Sequence, residues 1–349
     1  MSKEFYIHHK KIIPWEKATE QFGAMTYDDV LIKQGSDTEL LSRSEANTET
    51  MFGPYTLSVP IVTAPMDTIS GERMIREMHR LGGIGSLPRG DLNTNLALCE
   101  TFSIEDIPCL YTVGLKNGFE QARQFKERGA EMLLVDIAHG GMHEVQRLAG
   151  EIKNKLDLWV VAGNITTYEQ AKLYKQYGID IARVGVGGGS ACSTRMKTGV
   201  GFPQLNALFE TTEAGIYVIA DGGIRAPGDA AKALAVAEMI MLGGMFAGTE
   251  ETPGHVVNGK KVFRGQASAA YMKDNKIDQN GYRTDEGITH EVTAKGQVRH
   301  VVDDITAGLR SAMSYVGARN LAEYREKAQF IHISPATQAE NRPHIQNVS

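Results

Sequence analysis

Short apolar runs that close on small or acidic residues recur along most of the chain. They are IVTAPMD (61–67), GIGSLP (83–88), CLYTVG (109–114), MLLVDIAHG (132–140), WVVAGN (159–164), IARVGVGGG (181–189), YVIADGG (217–223) and MIMLGG (239–244), eight in all. Between them lie stretches such as NGFEQARQFKERGA and TTYEQAKLYKQYG, whose apolar residues fall at helical spacing. Strand, helix and strand repeated every 22 to 35 residues or so are the mark of parallel βαβ units. Eight such units close into a (β/α)8 TIM barrel, with its strands between about 61 and 244. The alternative, a doubly wound open sheet, normally shows fewer strands and a glycine-rich fingerprint after the first, which IVTAPMD does not carry.

In a barrel the loops at the C-terminal ends of the strands build the site. Asp67, Asp136, Asn164, the glycines before Cys192, Asp221-Gly222-Gly223 and Gly243-Gly244 all fall there. The loops after the seventh and eighth strands, DGGIRAPGD and LGGMFAG, occupy the usual position of a phosphate site. Their glycines let main-chain N–H groups approach a dianion, and Pro227 is placed to start the next helix. A polar segment from about 252 to 299 is too long for another βα turn and predicts a mobile active-site loop. DDITAGLRSAMSYVGARNLAEYREK then predicts closing helices, and HISPATQAENRPHIQNVS an extended, surface-lying tail, together filling 300–349. The expectation is a single catalytic domain over 1–349.

Composition narrows the function. The 349 residues carry 37 Lys+Arg against 42 Asp+Glu, a formal net charge of −5, which argues against a nucleic-acid surface built on general basicity. No apolar run reaches the roughly 18 residues of a membrane span, and the N-terminal MSKEFYIHHKKIIPWEK is polar where a signal peptide is greasy, so a soluble cytoplasmic protein without membrane partners is expected. Cys99, Cys109 and Cys192 are an odd number with no CxxC pair, which fits a reducing compartment. Cys99 and Cys109 read as buried, inert thiols. Cys192 stands in GGGSACSTR, a flexible glycine run at the barrel mouth that is neither a Rossmann fingerprint nor a P-loop, and this setting suits an exposed nucleophile near Arg195 and Lys197. His139 and His143 are spaced i, i+4, but without further ligands they make a poor metal site.

GGGSACSTR, together with APMDT (64–68), DIAHG (136–140), AGNITT (162–167), IADGGI (219–224), LGG (242–244) and FAGTEETPG (246–254), resembles the IMP dehydrogenase and GMP reductase family. The resemblance runs from YDDVLI (27–32) to the tail and implies a barrel, usually a homotetramer, whose loop cysteine attacks C2 of a purine nucleotide. Only PRGDLNTNLALCETFSIEDIP separates the second and third strands, so the paired CBS insertion common in the dehydrogenases is absent. Arg195-Met-Lys-Thr-Gly-Val-Gly-Phe-Pro-Gln204 and the 265–287 loop ending in Glu286-Gly287 are similar to the reductase branch, and the Arg-Tyr pair of a dehydrogenase flap is replaced by the reversed Tyr282-Arg283. IADGGI and the tail are nearer the dehydrogenases, and GQAS stands in place of a Gly-Met-Ser type of sequence.

The reductase branch implies reductive deamination of GMP to IMP and ammonia with NADPH. The alternative is a dehydrogenase without CBS motifs, oxidising IMP to XMP with NAD. By resemblance Cys192 is the nucleophile, with Thr194 and Glu286 as its proton relay. Met66 packs on the purine, Asp221 takes the ribose hydroxyls, and Ser190, Gly222, Gly223, Gly243 and Gly244 hold the 5′-phosphate. Gly265, Gln266, Ala267 and Ser268 face the base. Asp136, Ala138, His139 and Asn164 border the nicotinamide, and carbonyls near Gly187, Gly189 and Cys192 take a monovalent cation such as potassium.

Overall fold

All eight apolar runs form strands. The computed structural model describes residues 3–7, 11–275 and 284–341. Its central sheet comprises β1 (Ile61–Thr63), β2 (Gly85–Leu87), β3 (Cys109–Val113), β4 (Met132–Asp136), β5 (Trp159–Ile165), β6 (Ile181–Val184), β7 (Tyr217–Asp221) and β8 (Met239–Leu242). They pair in parallel in sequence order, and β8 returns to β1 through Ile240–Ile61 and Leu242–Thr63. A single bridge at Val62–Ile84 joins β1 to β2: the Ile84 N–H donates to Ile61 O and the Thr63 N–H to Ile84 O, both at 3.1 Å. The sheet is therefore a ring of eight strands.

Because helices cover the outside and side chains fill the inside, these strands are apolar on both faces. Alternation along each strand divides the core in two. Leu110, Met132, Leu134, Val161, Ile181, Ile219, Met239 and Met241 form an inner cluster, while Leu133, Val135, Val160, Ala162, Val218 and Ile240 pack outward against the helices. Helices Gly118–Glu127 and Tyr168–Gln176 lie where the helical spacing places them, and the helix Pro227–Leu234 begins on its proline.

Three features go beyond the sequence reading. A hairpin of Thr50–Phe52 and Tyr55–Leu57 caps the N-terminal end of the barrel, with Phe52 and Leu57 in the inner cluster and the Tyr217 hydroxyl donating to Met51 O at 2.6 Å. The 252–299 segment is not simply a loop, since Lys260–Arg264 and Thr289–Thr293 form an antiparallel ribbon and Ala269–Asp274 a short helix. The tail is only partly surface-lying. Phe330–His332 is the inner strand of a second sheet, between Glu4–Ile7 and Val30–Ile32, and Ile333 is buried. Backbone pairing with distant strands outweighs the polar composition of the segment that follows. Among the described residues no helix is long and apolar enough to cross a membrane.

Candidate active site

The chain leaves β6 at Val184 and enters Gly185–Gly189. Gly185 (φ +140°) and Gly187 (φ +81°) take conformations that residues with a Cβ rarely adopt. A Cβ on Gly185 would lie 2.1 Å from Asp221 O, so the loop runs directly against the end of β7. Beyond the turn, half-buried Cys192 precedes the one-turn helix Thr194–Thr198. Its thiol donates to Thr194 Oγ1 at 3.2 Å, and the Thr194 hydroxyl donates to Glu286 Oε2 at 2.8 Å. Main chain fixes this alignment: the Ser193 N–H donates to Glu286 O at 2.8 Å and the Ile288 N–H to Ala191 O at 3.0 Å. Lys197 pairs with Asp285 at 3.0 Å and holds that carboxyl below its usual range. A hydroxyl that accepts from a thiol and donates to a carboxylate can pass one proton along the line, leaving a thiolate at one end and a carboxylic acid at the other. Cys99 and Cys109 are buried, and burial pushes the Cys99 thiol up to about 11 and raises that of Cys109 as well.

The glycines of three loops meet beside this line. The Gly223 N–H donates to Gly188 O at 2.9 Å, and Gly222 and Gly223 both have positive φ. A Cβ on Gly244 would fall 2.2 Å from Ser190 Oγ, and one on Gly243 would fall 3.2 Å from Met66 Sδ. The structure thus brings Met66, Ser190, Gly222, Gly223, Gly243 and Gly244 to one rim, where exposed backbone can approach an anionic group.

Asp136, Asn164 and Asp221 are joined in one network through Arg183. Asp221 Oδ2 accepts from Asn164 Nδ2 and from Arg183 Nε, each at 2.8 Å, while Arg183 NH1 donates to Asp136 Oδ1 at 2.5 Å. Burial opposes charge on Arg183, but Asp221 and Asp136 outweigh it and hold its pKa above the usual value. Arg183 was absent from the sequence reading. Its signal was a charged residue within the apolar strand IARV, because a buried guanidinium requires partners. Among the described residues Asp136 Oδ2 is buried without a hydrogen-bond partner, with an Arg89 guanidinium nitrogen 3.8 Å away, and Ala138 and His139 stand exposed beyond it. His143 Nε2 meets the Tyr177 hydroxyl at 3.1 Å, and among the described residues no group of three or more His, Cys, Asp or Glu is placed to hold a metal.

The ribbon delivers 265–268 to the same place. A Cβ on Gly265 would fall 2.9 Å from Ala191 O, Gln266 Nε2 donates to Pro65 O, and Ala267 O accepts the Gly287 N–H at 3.2 Å. The Ser268 hydroxyl caps the helix Ala269–Asp274 by accepting from the Tyr271 N–H at 3.3 Å. Arg264, also missed in the sequence, clamps the segment by binding Asp67 at 2.5 Å and Asp274 at 2.6 Å. Tyr282-Arg283 lies outside the described residues.

Comparison with known proteins places the chain in a family and agrees with the barrel fold. A profile of the IMP dehydrogenase / GMP reductase domain matches residues 24–95 and 107–344. GMP reductase 2 of Homo sapiens is 34% identical over 332 residues, covering 89% of this chain and 94% of that protein. An inosine-5′-monophosphate dehydrogenase of Aquifex aeolicus is 42% identical over 235 residues, covering 62% of this chain and 48% of its own length. A cysteine-to-alanine GMP reductase from Trypanosoma brucei, crystallised with guanosine 5′-monophosphate, superposes with a TM-score of 0.87 at 25% identity, over 93% of this chain and 98% of that one.

Proposed function

The chain belongs to the IMP dehydrogenase / GMP reductase family, and we propose that it is a GMP reductase that converts GMP to IMP and ammonia. The observation that carries this reading is the unbroken line from Cys192 through Thr194 to Glu286, with steps of 3.2 and 2.8 Å. An amine on C2 is a poor leaving group until it is protonated, and the line provides both a nucleophile and an acid.

The Cys192 thiol yields its proton to Thr194 as Thr194 passes its own to Glu286. The thiolate bonds to C2 of the purine as the C2=N3 π pair moves onto N3, and the return of that pair re-forms C2=N3 when the amine departs. Glu286 returns a proton through Thr194 to the departing nitrogen, the C2–N bond breaks, and ammonia leaves a thioimidate on Cys192. A reduced nicotinamide, when bound, supplies hydride to C2, with NADPH as the expected form. The C2–S bond then breaks, and the electron pair returns to Cys192 as thiolate.

Asp221, fixed by Asn164 and Arg183, is placed to accept the ribose hydroxyls. Ser190 and the backbone of Gly222, Gly223, Gly243 and Gly244 are assigned to the 5′-phosphate, Met66 to the purine face, and Gly265, Gln266, Ala267 and Ser268 to the base; the close approach of Gly244 to Ser190 and of Gly243 to Met66 supports this assignment. Asp136 Oδ2, which accepts no hydrogen bond among the described residues and has the Arg89 guanidinium 3.8 Å away, is assigned to a carboxamide N–H, and Ala138, His139 and Asn164 complete that side. The carbonyls of Gly187, Gly189 and Cys192 are assigned to a monovalent cation such as potassium. Gly189 O also accepts the Cys192 N–H at 3.0 Å, which its second lone pair allows. A single catalytic domain, a homotetramer and a cytoplasmic location complete the reading.

The test is an absorbance assay in both directions. NADPH oxidation that depends on GMP, with release of IMP and ammonia, is expected. NAD reduction with IMP and no response to GMP would overturn the reductase in favour of a dehydrogenase.

A further inference from the structure

Inward and outward positions alternate along Lys260–Arg264, and the two that point inward are Phe263 and Lys261, each 5% exposed. A lysine this buried normally has a carboxylate partner. Among the described residues none is in ion-pair contact with Lys261, and the Glu251 and Glu250 carboxylates act on it only from farther away. Its Nζ donates to Thr252 O at 2.7 Å, Thr249 O at 2.9 Å, Thr252 Oγ1 at 3.1 Å and Glu250 O at 3.4 Å. The Thr252 hydroxyl uses its own proton on Thr249 O at 2.7 Å, so all four atoms present lone pairs to the nitrogen. Three N–H donors suit such a cage, whereas the lone pair of a neutral amine would face oxygen. Burial, aided by nearby Arg73, lowers the pKa of Lys261, and the Glu251 and Glu250 carboxylates act in the opposite direction without reversing the shift.

Oxygens that converge in this way repel one another unless a cation lies among them. We infer that the Lys261 ammonium serves as a built-in monovalent cation for the 249–252 loop and, by fixing the ribbon to that loop, is a positioning residue for the reaction. Its strand runs on to Gly265–Ser268, and the paired strand is preceded by Glu286–Ile288, so both active-site segments hang from the ribbon. On the other side the Glu250 N–H donates to Gly296 O at 3.3 Å and the Lys295 N–H to Gly248 O at 2.8 Å, so the 248–252 loop holds the extension of Thr289–Thr293 as well as Lys261 on the paired strand. The consequence for catalysis rests on the reductase reading, but the cation cage does not.

The experiment compares wild type, Lys261→Ala and Lys261→Met, reading thermal midpoint and steady-state kinetics for GMP while propylammonium chloride, 1-propanol or NaCl is added. Lys261→Ala removes an alkylammonium, and propylammonium is its near equivalent. The expected results are a lower midpoint in Lys261→Ala, a KM for GMP raised at least fivefold with a smaller change in kcat, and recovery of both with propylammonium alone. Wild type and Lys261→Met, whose side chain fills the channel, should not respond. Equal recovery with 1-propanol would show that only space is being filled and would overturn the inference. If Lys261→Ala does not fold, Lys261→Met decides: wild-type stability and KM would sink the proposal, and a reduced midpoint with raised KM would support it. Were wild type itself inactive toward GMP, the thermal midpoints would still test the cage, so the two readings fail separately.

Discussion

A hydroxyl that can only relay is simple to remove without altering shape. Thr194→Val keeps the β-branched volume of Thr194 and breaks the line between Cys192 and Glu286. The expected loss in kcat is roughly 10²–10³-fold, within the range of general acid–base catalysis. Glu286→Gln should cost a similar factor, and the double variant little more than either alone, because the residues act as a unit. Rapid-quench kinetics check this, since additive losses would show that the two side chains act independently. At this scale the sequence was informative where residue type restricts chemistry. Cys192 stood out from Cys99 and Cys109 by its glycine neighbours, and Asp221 by its place at a strand end. Glu286 could be found only by resemblance, because a carboxylate on a polar segment looks like any solvated one. Arg183 and Arg264 were legible only as charges awaiting partners that the folded chain supplies from far away.

Among the elements, the strands were legible because parallel strands buried on both faces are continuous apolar runs, and all eight runs became strands. The hairpin at 50–57 and the ribbon were not, because their strands of three and five residues carry one or two inward side chains each, too few for a pattern. The loops between elements explain why glycine recurs at the mouth. A Cβ on Gly244 would come within 3.1 Å of Ser190 Cβ as well as 2.2 Å of its oxygen, so Gly244→Ala must push Ser190 aside. The expected result is a KM for GMP raised about tenfold, corresponding to about 1.4 kcal/mol, with kcat changed much less. An unchanged KM would remove Ser190 from the phosphate site. Gly222→Ala should be worse, because backbone atoms of Gly188 and Gly189 stand 3.0–3.1 Å from the new carbon and φ is +98°.

For the molecule as a whole, the barrel keeps stability and chemistry at opposite ends. Phe52 is fully buried in the inner cluster with Leu57, Met132 and Ile181, beneath the capping hairpin. Phe52→Ala is expected to cost about 3–5 kcal/mol of unfolding free energy, read by urea denaturation, while kcat and KM at a permissive temperature stay near wild type. A large loss of activity in protein that remains folded would show that the two ends are coupled. The same hairpin has a consequence for traffic. With the far end stoppered and the bore filled by Leu, Ile and Met side chains, the described residues leave no passage along the barrel axis. On the proposed function every reactant would therefore arrive and leave at the C-terminal mouth, on the side away from the hairpin.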